Sequence, residues 1–288
     1  MLLLLIGFLP LTFLFAEAPT NEDTRNFLAR LTKEADRFER NAHRFMGVET
    51  LRQTQPQGTR FSTGPRGTIT QLPEAVHEIV SEYGWVSADE PGGSLKEVRL
   101  VLTVDGLKWK QGKKDLNALA GRIGTRDGKN RGKTLESYED YGLRGFLSDS
   151  GQIILLFARN GVERYEFQFD RSENAGVLGN VNIYRYQQID GGQALTIYGG
   201  KEPIRQKMKG EVWVRASDML PLRVTLESNH SLDGNEIHDV TAVSYEMSRW
   251  GMLLPSHIDH RQYVDKRIFV VDEFSYDKFK EVISGRMR

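Results

Sequence analysis

Three stretches carry residue types that could do chemistry. Gly128–Thr134 reads GKNRGKT, close to a nucleotide-binding P-loop. A phosphate cradle needs four residues between its glycines so that the backbone can wrap the phosphates, and it follows an apolar strand. Here three residues separate the glycines, and the preceding NALAGRIGTRD supplies no such strand. Ser275 and Lys278 form an S-x-x-K pair, the acyl-enzyme arrangement of penicillin-binding proteins, but neither S-D-N nor K-T-G accompanies it. Neither stretch is read as a site, and no cofactor is expected.

The histidines give a third candidate. They are His43, His77, His230, His238, His257 and His260. In the run SHIDH a strand would place His257 and Asp259 on one face and His260 on the other. If residues 237–247 pair with 253–262 through a turn at Trp250-Gly251, His257 falls beside Ser244 and His260 beside Thr241. A metal site needs three or four converging ligands. Neither neighbour completes one, and Asp239 or the residues around Asp272 would have to swing in. These histidines are therefore expected at the surface or half-buried, with no metal. A hydrolase built on His257, Asp259 and His260 is the enzymatic alternative.

A fourth stretch carries charge rather than a reactive group. Between Lys108 and Lys133 stand nine basic residues, including Lys108, Lys110, Lys113, Lys114, Lys129, Arg131 and Lys133, against Asp115 and Asp127. The plainer reading is a solvated loop with helix faces. The functional one is a docking patch for an anionic membrane surface or an acidic envelope partner. Trp109 is the only aromatic residue interleaved with these charges, so single-stranded nucleic acid is a poor match.

The whole chain sets the frame for these stretches. Lys+Arg and Asp+Glu both number 39 in 288 residues, so no global charge draws it to nucleic acid. Absence of cysteine excludes disulfides, thiolate metal sites, a cysteine nucleophile and a lipid-modified cysteine anchor. Residues Leu2 to Phe15 are apolar apart from Gly7, Pro10 and Thr12, and Ala16-Glu17-Ala18 follows. The run is shorter than a comfortable bilayer span of ~20 residues and matches a signal-peptide core, although no basic residue precedes it and Pro19 follows the cut. Residues 1–18 are read as a signal peptide, with an uncleaved anchor as the alternative, and the location as periplasmic or secreted.

The elements follow from periodicity. Thr20 and Asp23 resemble a capping box. Leu28, Leu31, Ala35, Phe38, Ala42 and Phe45 then alternate steps of three and four, one apolar stripe on a charged helix. The expected organisation is an amphipathic helix over 19–53, an irregular linker over 54–74 and a β half-barrel domain over 75–288. Strands are expected in a hairpin over about 75–106, then at 152–158, 164–171, 180–188, 194–198, 211–215, 222–228, 237–247, 253–263 and 267–276. Two short helices are expected between 113 and 144, and a short one at the end of FSYDKFKEVI. Turns such as Asn160-Gly161, Asp233-Gly234 and Asp265-Lys266 fit brief antiparallel connections. The fold class is mainly β (α+β): a large curved antiparallel sheet or half-barrel with an N-terminal helix and a few short covering helices.

In PLRVTLES, Leu222, Val224 and Leu226 share one face, and Arg223, Thr225 and Glu227 the other. An apolar face of this length must be covered by helices or closed on itself. If the cover is partial, a cavity remains. Trp213, Val224, Leu226 and Ile258 are the candidate ligand-lining residues; ordinary core packing is the plainer reading of each.

The second half resembles the end of the LolA/LolB-like lipoprotein-carrier superfamily. The residues that carry the resemblance are GEVWV at 210–214, LPLRV at 220–224, VSY at 243–245, LLPSHI at 253–258 and FSYDKFK at 274–280, within about 195–280. The resemblance implies a curved half-barrel covered by helices, with an apolar interior for acyl chains; related members sense lipoproteins instead of carrying them. This chain is longer, with an additional region before residue 75, and no ligand contact of the carriers maps onto a numbered residue. The reading is a non-catalytic envelope protein binding an apolar or lipid-bearing ligand, not an enzyme. A module that binds an envelope partner through the helix at 21–46 is the other alternative.

Overall fold

The computed structural model describes residues 20–61, 69–87, 95–109, 141–144, 150–189, 195–197, 204–232, 234–283 and 286–287. The single α-helix among them, α1, spans Asn21–Asn41. Its start is fixed by the expected capping box. The Asp23 N–H donates to Thr20 Oγ1 at 3.2 Å, and the Thr20 N–H donates to Asp23 Oδ2 at 2.8 Å. No described helix is long and apolar enough to cross a membrane.

The strands in chain order are β1 Phe45–Gln55, β2 Gly58–Phe61, β3 Ile69–Leu72, β4 Ala75–Ser87, β5 Leu95–Val104, β6 Leu107–Lys108, β7 Tyr165–Asn174 and β8 Asn180–Gln188. They continue with β9 Leu195–Ile197, β10 Ile204–Gln206, β11 Lys209–Arg215, β12 Pro221–Leu232, β13 Asn235–Met247, β14 Leu253–Val264, β15 Arg267–Ile283 and β16 Arg286–Met287. Eleven form one open antiparallel sheet in the order β6-β5-β4-β1-β15-β14-β13-β12-β11-β8-β7, with β16 paired to the end of β15. The pairs β2-β3 and β9-β10 stand apart as small hairpins. Short connections favour antiparallel pairing within β4–β6, β7–β8 and β11–β15, while β1 joins the first group to β15.

The sheet curls around α1. On the helix, Phe27 stacks on Tyr184 of β8 and Phe38 meets Trp85 of β4. Those two rings are about 16 Å apart along the axis at 1.5 Å per residue. Seven strand steps separate β8 from β4, about 33 Å in a flat sheet at 4.7–4.9 Å per step. Only a curved sheet brings both strands to one short helix. Register shifts at Met46/Val48, Val80/Ser81, Ser244/Tyr245 and Gln262/Tyr263 supply bends of the kind that β-bulges produce. At the first shift Gly47 is needed for space, because a Cβ there would stand 2.8 Å from the Asp277 carbonyl oxygen.

Several expected elements differ. The helix ends at Asn41, and Phe45–Gln55 is a strand joining the two halves of the sheet by pairing with both β15 and β4. Part of the expected linker is also strand, in β2 and β3. Residues 153–157 form a 3₁₀ turn instead of a strand. The end of FSYDKFKEVI stays in β15, without a helix. The helices expected between 113 and 144 fall almost wholly outside the described residues. The hairpins from β11 to β15 match their expected positions, and the β13-β14 register sets Ser244 opposite His257 and Thr241 opposite His260.

Candidate functional site

The concave face divides into two halves. One lies at the rim formed by the starts of β1, β12 and β14 and the end of β4; α1 crosses it. Phe27 stacks on Tyr184 at 4.0 Å and meets Phe167 edge-on at 5.5 Å. Phe38 meets Trp85 at 5.2 Å and Tyr245 at 6.5 Å. The apolar turn Ile153–Phe157 fills the space beside the helix. Ile154 and Phe157 are fully buried, and Phe157 packs on Tyr165, Phe167 and Tyr186. Burial drives the Tyr186 hydroxyl far above its ordinary range and Tyr165 up to about 12.

Few polar contacts hold this cover down. The Ile154 N–H donates to the Tyr245 hydroxyl, which donates to the Gly151 carbonyl, both at 3.1 Å. Helix and turn are latched to each other. Arg159 donates from its backbone N–H to Asp36 Oδ1 and from Nε to Glu39 Oε2, each at 2.7 Å. Glu34 lies on the buried side of α1 with its side chain fully enclosed. The cations paired with it are Arg30 at 3.3 Å and Arg37 at 3.9 Å, both from its own helix.

The other half is polar. Arg99 on β5 donates to both oxygens of Glu49 on β1, at 2.7 and 2.9 Å, and to Glu97 at 2.7 Å. All three are buried, and the guanidinium lies 5.1 Å from the Tyr83 ring centre. Four residues onward along β1 and on the same face, Gln53 reads the backbone of Arg144: its Oε1 accepts the Arg144 N–H at 2.7 Å and its Nε2 donates to the carbonyl at 2.8 Å. The same Nε2 donates to Asp272 at 2.7 Å. Gln55 donates to Gly142 O and to Gln53 Oε1, each at 2.7 Å. Residues 141–144 are thereby strapped over this half.

His260 closes the network. Its Nδ1 lies 2.8 Å from Asp272 Oδ2 and its Nε2 3.3 Å from Asp239 Oδ1. Burial pushes the imidazole pKa down, but the two carboxylates outweigh it and hold the cation up to about 9. The expectation of a surface or half-buried His260 is thus corrected: it is 1% exposed because it faces inward on β14. The swing of Asp239 and Asp272 imagined for a metal ion serves a hydrogen-bonded triad instead. Among the described residues no group of three or more His, Cys, Asp or Glu side chains could hold a metal ion.

The hydrolase grouping is not assembled. His257 is exposed, and Asp259 pairs with Arg261 at 2.9 Å on the far side of the strand from His260. Val224, Leu226 and Ile258 do share the concave face, where Val224 and Ile258 are fully buried in the core. Trp213 is a correction. Its neighbours Val212 and Val214 turn inward, so strand alternation puts the indole on the outer face. There it lies between the guanidinium groups of Arg223 at 4.9 Å and Arg171 at 5.7 Å, and donates from Nε1 to Glu211. Lys108 is exposed on β6. Lys110, Lys113, Lys114, Lys129, Arg131 and Lys133 lie outside the described residues.

Sequence reasoning missed Glu49, Gln53, Gln55, Glu97, Arg99 and the turn at 153–157. The inward positions of β1 from 45 to 55 are Phe, Gly, Glu, Leu, Gln and Gln, which hide the alternation of a buried strand. Glu49 and Arg99 carry no local signal, because their partnership spans 50 residues.

No family model matches the chain, and no curated protein matches it. Among solved structures it is similar to a LolA superfamily protein from Nitrosomonas europaea, at 12% identity over 89% of this chain and 93% of that chain, with a TM-score of 0.35. A likeness of that order carries no argument about a ligand or role.

Proposed function

We propose that the chain is an exported, non-catalytic envelope protein that binds an apolar or lipid-bearing ligand on the aromatic half of the concave face. The single observation supporting this reading is the composite cover there. α1 and residues 153–157 bury an apolar surface against the curved sheet through aromatic contacts and few hydrogen bonds, and Arg159 ties the two into one unit. Such a cover can leave as a piece, because hydrophobic contact is non-directional and an acyl chain replaces it. Each CH₂ that a ligand buries contributes about 0.8 kcal/mol. The enclosed Glu34 carboxylate, paired along its own helix, makes the closed state less favourable than an apolar residue would.

Val224 and Ile258 would line the groove once the cover lifts, with Leu226 at its margin. The basic stretch from 108 to 133 fits the same role as an anionic-surface contact. The Trp109 and Tyr141 rings meet at 4.8 Å. The test is binding of a fluorescent fatty acid to folded, delipidated protein. Saturable micromolar binding, with faster uptake in Arg159→Gln, supports the reading. Absence of saturable binding overturns it.

A further inference from the structure

We infer that the cleft at the C-terminal end of α1 is a site for a phosphate-bearing head group of an amphiphilic ligand. The inference rests on the apolar-ligand reading above and adds the chemistry of the ligand's polar end. The cleft has a volume of about 380 Å³ and is lined by Arg37, Asn41, Arg44, Phe45, Trp250, Met252 and Glu281. It opens at the rim that α1 crosses, so a ligand tail under the cover and a head group in the cleft are neighbours.

Two guanidinium groups, those of Arg37 and Arg44, line the cleft, and a third lies against the ring of its Trp250. Arg249 lies over the Trp250 ring at 4.4 Å from its centre, and Phe45 packs on the same ring at 4.9 Å. The Arg37 and Arg44 side chains are 43% and 51% exposed, so both heads reach solvent. Each guanidinium has five donors, and the contacts described use few of them. Arg37 donates to the Gly251 carbonyl, and Arg44 to Asn41 Oδ1 and Glu281. Arg44 and Glu281 form a partly exposed pair, which contributes little and yields to a doubly charged competitor. Arginine forks match phosphate oxygens in geometry, which a lone ammonium does not. Trp250, Phe45 and Met252 give the apolar floor that the adjoining chain of an amphiphile needs.

Three features oppose an anion here. Glu281 is the first, and the Glu34 carboxylate, 3.9 Å from Arg37 and shared with Arg30, is the second. The third is the negative end of the α1 dipole, a partial charge confined to the last turn. There Asn41 Nδ2 already donates to the Arg37 carbonyl, Arg40 Nε to the Asp36 carbonyl and the Ala42 N–H to the Phe38 carbonyl.

The test uses calorimetric titration of the delipidated full chain with dodecyl phosphate, dodecanol and inorganic phosphate. The expected result is that dodecyl phosphate binds about tenfold or more tightly than dodecanol, as charge-assisted hydrogen bonds require. In the double variant Arg44→Gln/Arg249→Gln, with its fold checked by circular dichroism, that ratio falls to about one while dodecanol affinity is unchanged. Equal binding of the two amphiphiles by the unaltered chain, or an unchanged ratio in the variant, overturns the head-group site and leaves the apolar-ligand reading standing. Inorganic phosphate binding as tightly as dodecyl phosphate overturns the lipid assignment and makes the ligand a free phosphate. Binding of none of the three overturns both readings.

Discussion

The two halves of the concave face both carry buried side chains and are held by different means. Under α1 the contacts are ring on ring, and hydrogen bonds to the sheet are sparse. In the other half the contacts that set it apart are directional: Arg99 between two carboxylates, His260 between two more, and Gln53 engaging both sides of the Arg144 peptide unit. Apolar contacts are exchangeable for other apolar contacts of similar area. Buried ionic networks are not, because any substitute must match donors to acceptors and balance charge. Under the proposal above, the aromatic half is the place for a ligand and the polar half the fixed frame behind it.

The largest effects should come from breaking the frame. Arg99→Met leaves Glu49 and Glu97 buried without their cation, and should lower unfolding free energy by about 3–5 kcal/mol in a urea titration. Replacing all three, as Glu49→Gln/Glu97→Gln/Arg99→Met, should cost clearly less, since no charge is then stranded. If the triple variant is as unstable as the single one, packing and not charge holds this half. On the aromatic side, Phe27→Ala should cost about 3–4 kcal/mol by leaving a cavity against Tyr184. Added fatty acid should recover part of the loss there, and none of it in Arg99→Met.

Next in size is the pH response of the frame. The folded His260 pKa of about 9 stands above the ordinary value of 6.5, so its stabilisation is complete below about pH 6.5 and is lost as pH rises through 9. The gap corresponds to stabilisation on the order of 3 kcal/mol. Urea midpoints should therefore fall between pH 6.5 and 9.5 in the unaltered chain, more steeply than in His260→Gln. Superimposable profiles would remove His260 as a cation. Smallest is the latch: Arg159→Gln, at an exposed pair, should change stability by about 1 kcal/mol or less. It should nevertheless raise amide exchange in α1 and 153–157 and not in β1 or β15.

The same contrast decides what was legible in the sequence. Outward-polar, inward-apolar strands declared themselves, and the β13-β14 register could be placed through the Trp250-Gly251 turn to the residue. β1 could not, because its inward positions include Glu49, Gln53 and Gln55. A strand that faces a buried ionic network loses the alternation that reveals strands. IILLF at 153–157 failed differently: a short apolar run fits a strand or a buried turn equally, and length alone cannot choose. Trp213 was misplaced because a large aromatic suggests the interior, whereas its position between Val212 and Val214 already put it on the other face. Of the concave face, Val224 and Ile258 were readable as inward apolar positions, and both are core residues. The stripe of α1 was also readable, and its Leu31, Ala35 and Phe38 are buried; the 153–157 part of the cover and the polar frame were not, since both depend on partners far apart in the chain.

Hydrogen exchange of the delipidated chain, with and without a saturating fatty acid, tests the central claim most directly. Protection should fall in residues 27–38 and 153–157 on binding, while Glu49, Gln53 and Arg99 and the strands that carry them stay protected. A ligand that binds while α1 and the turn keep their protection, or that loosens the polar half instead, would contradict the account.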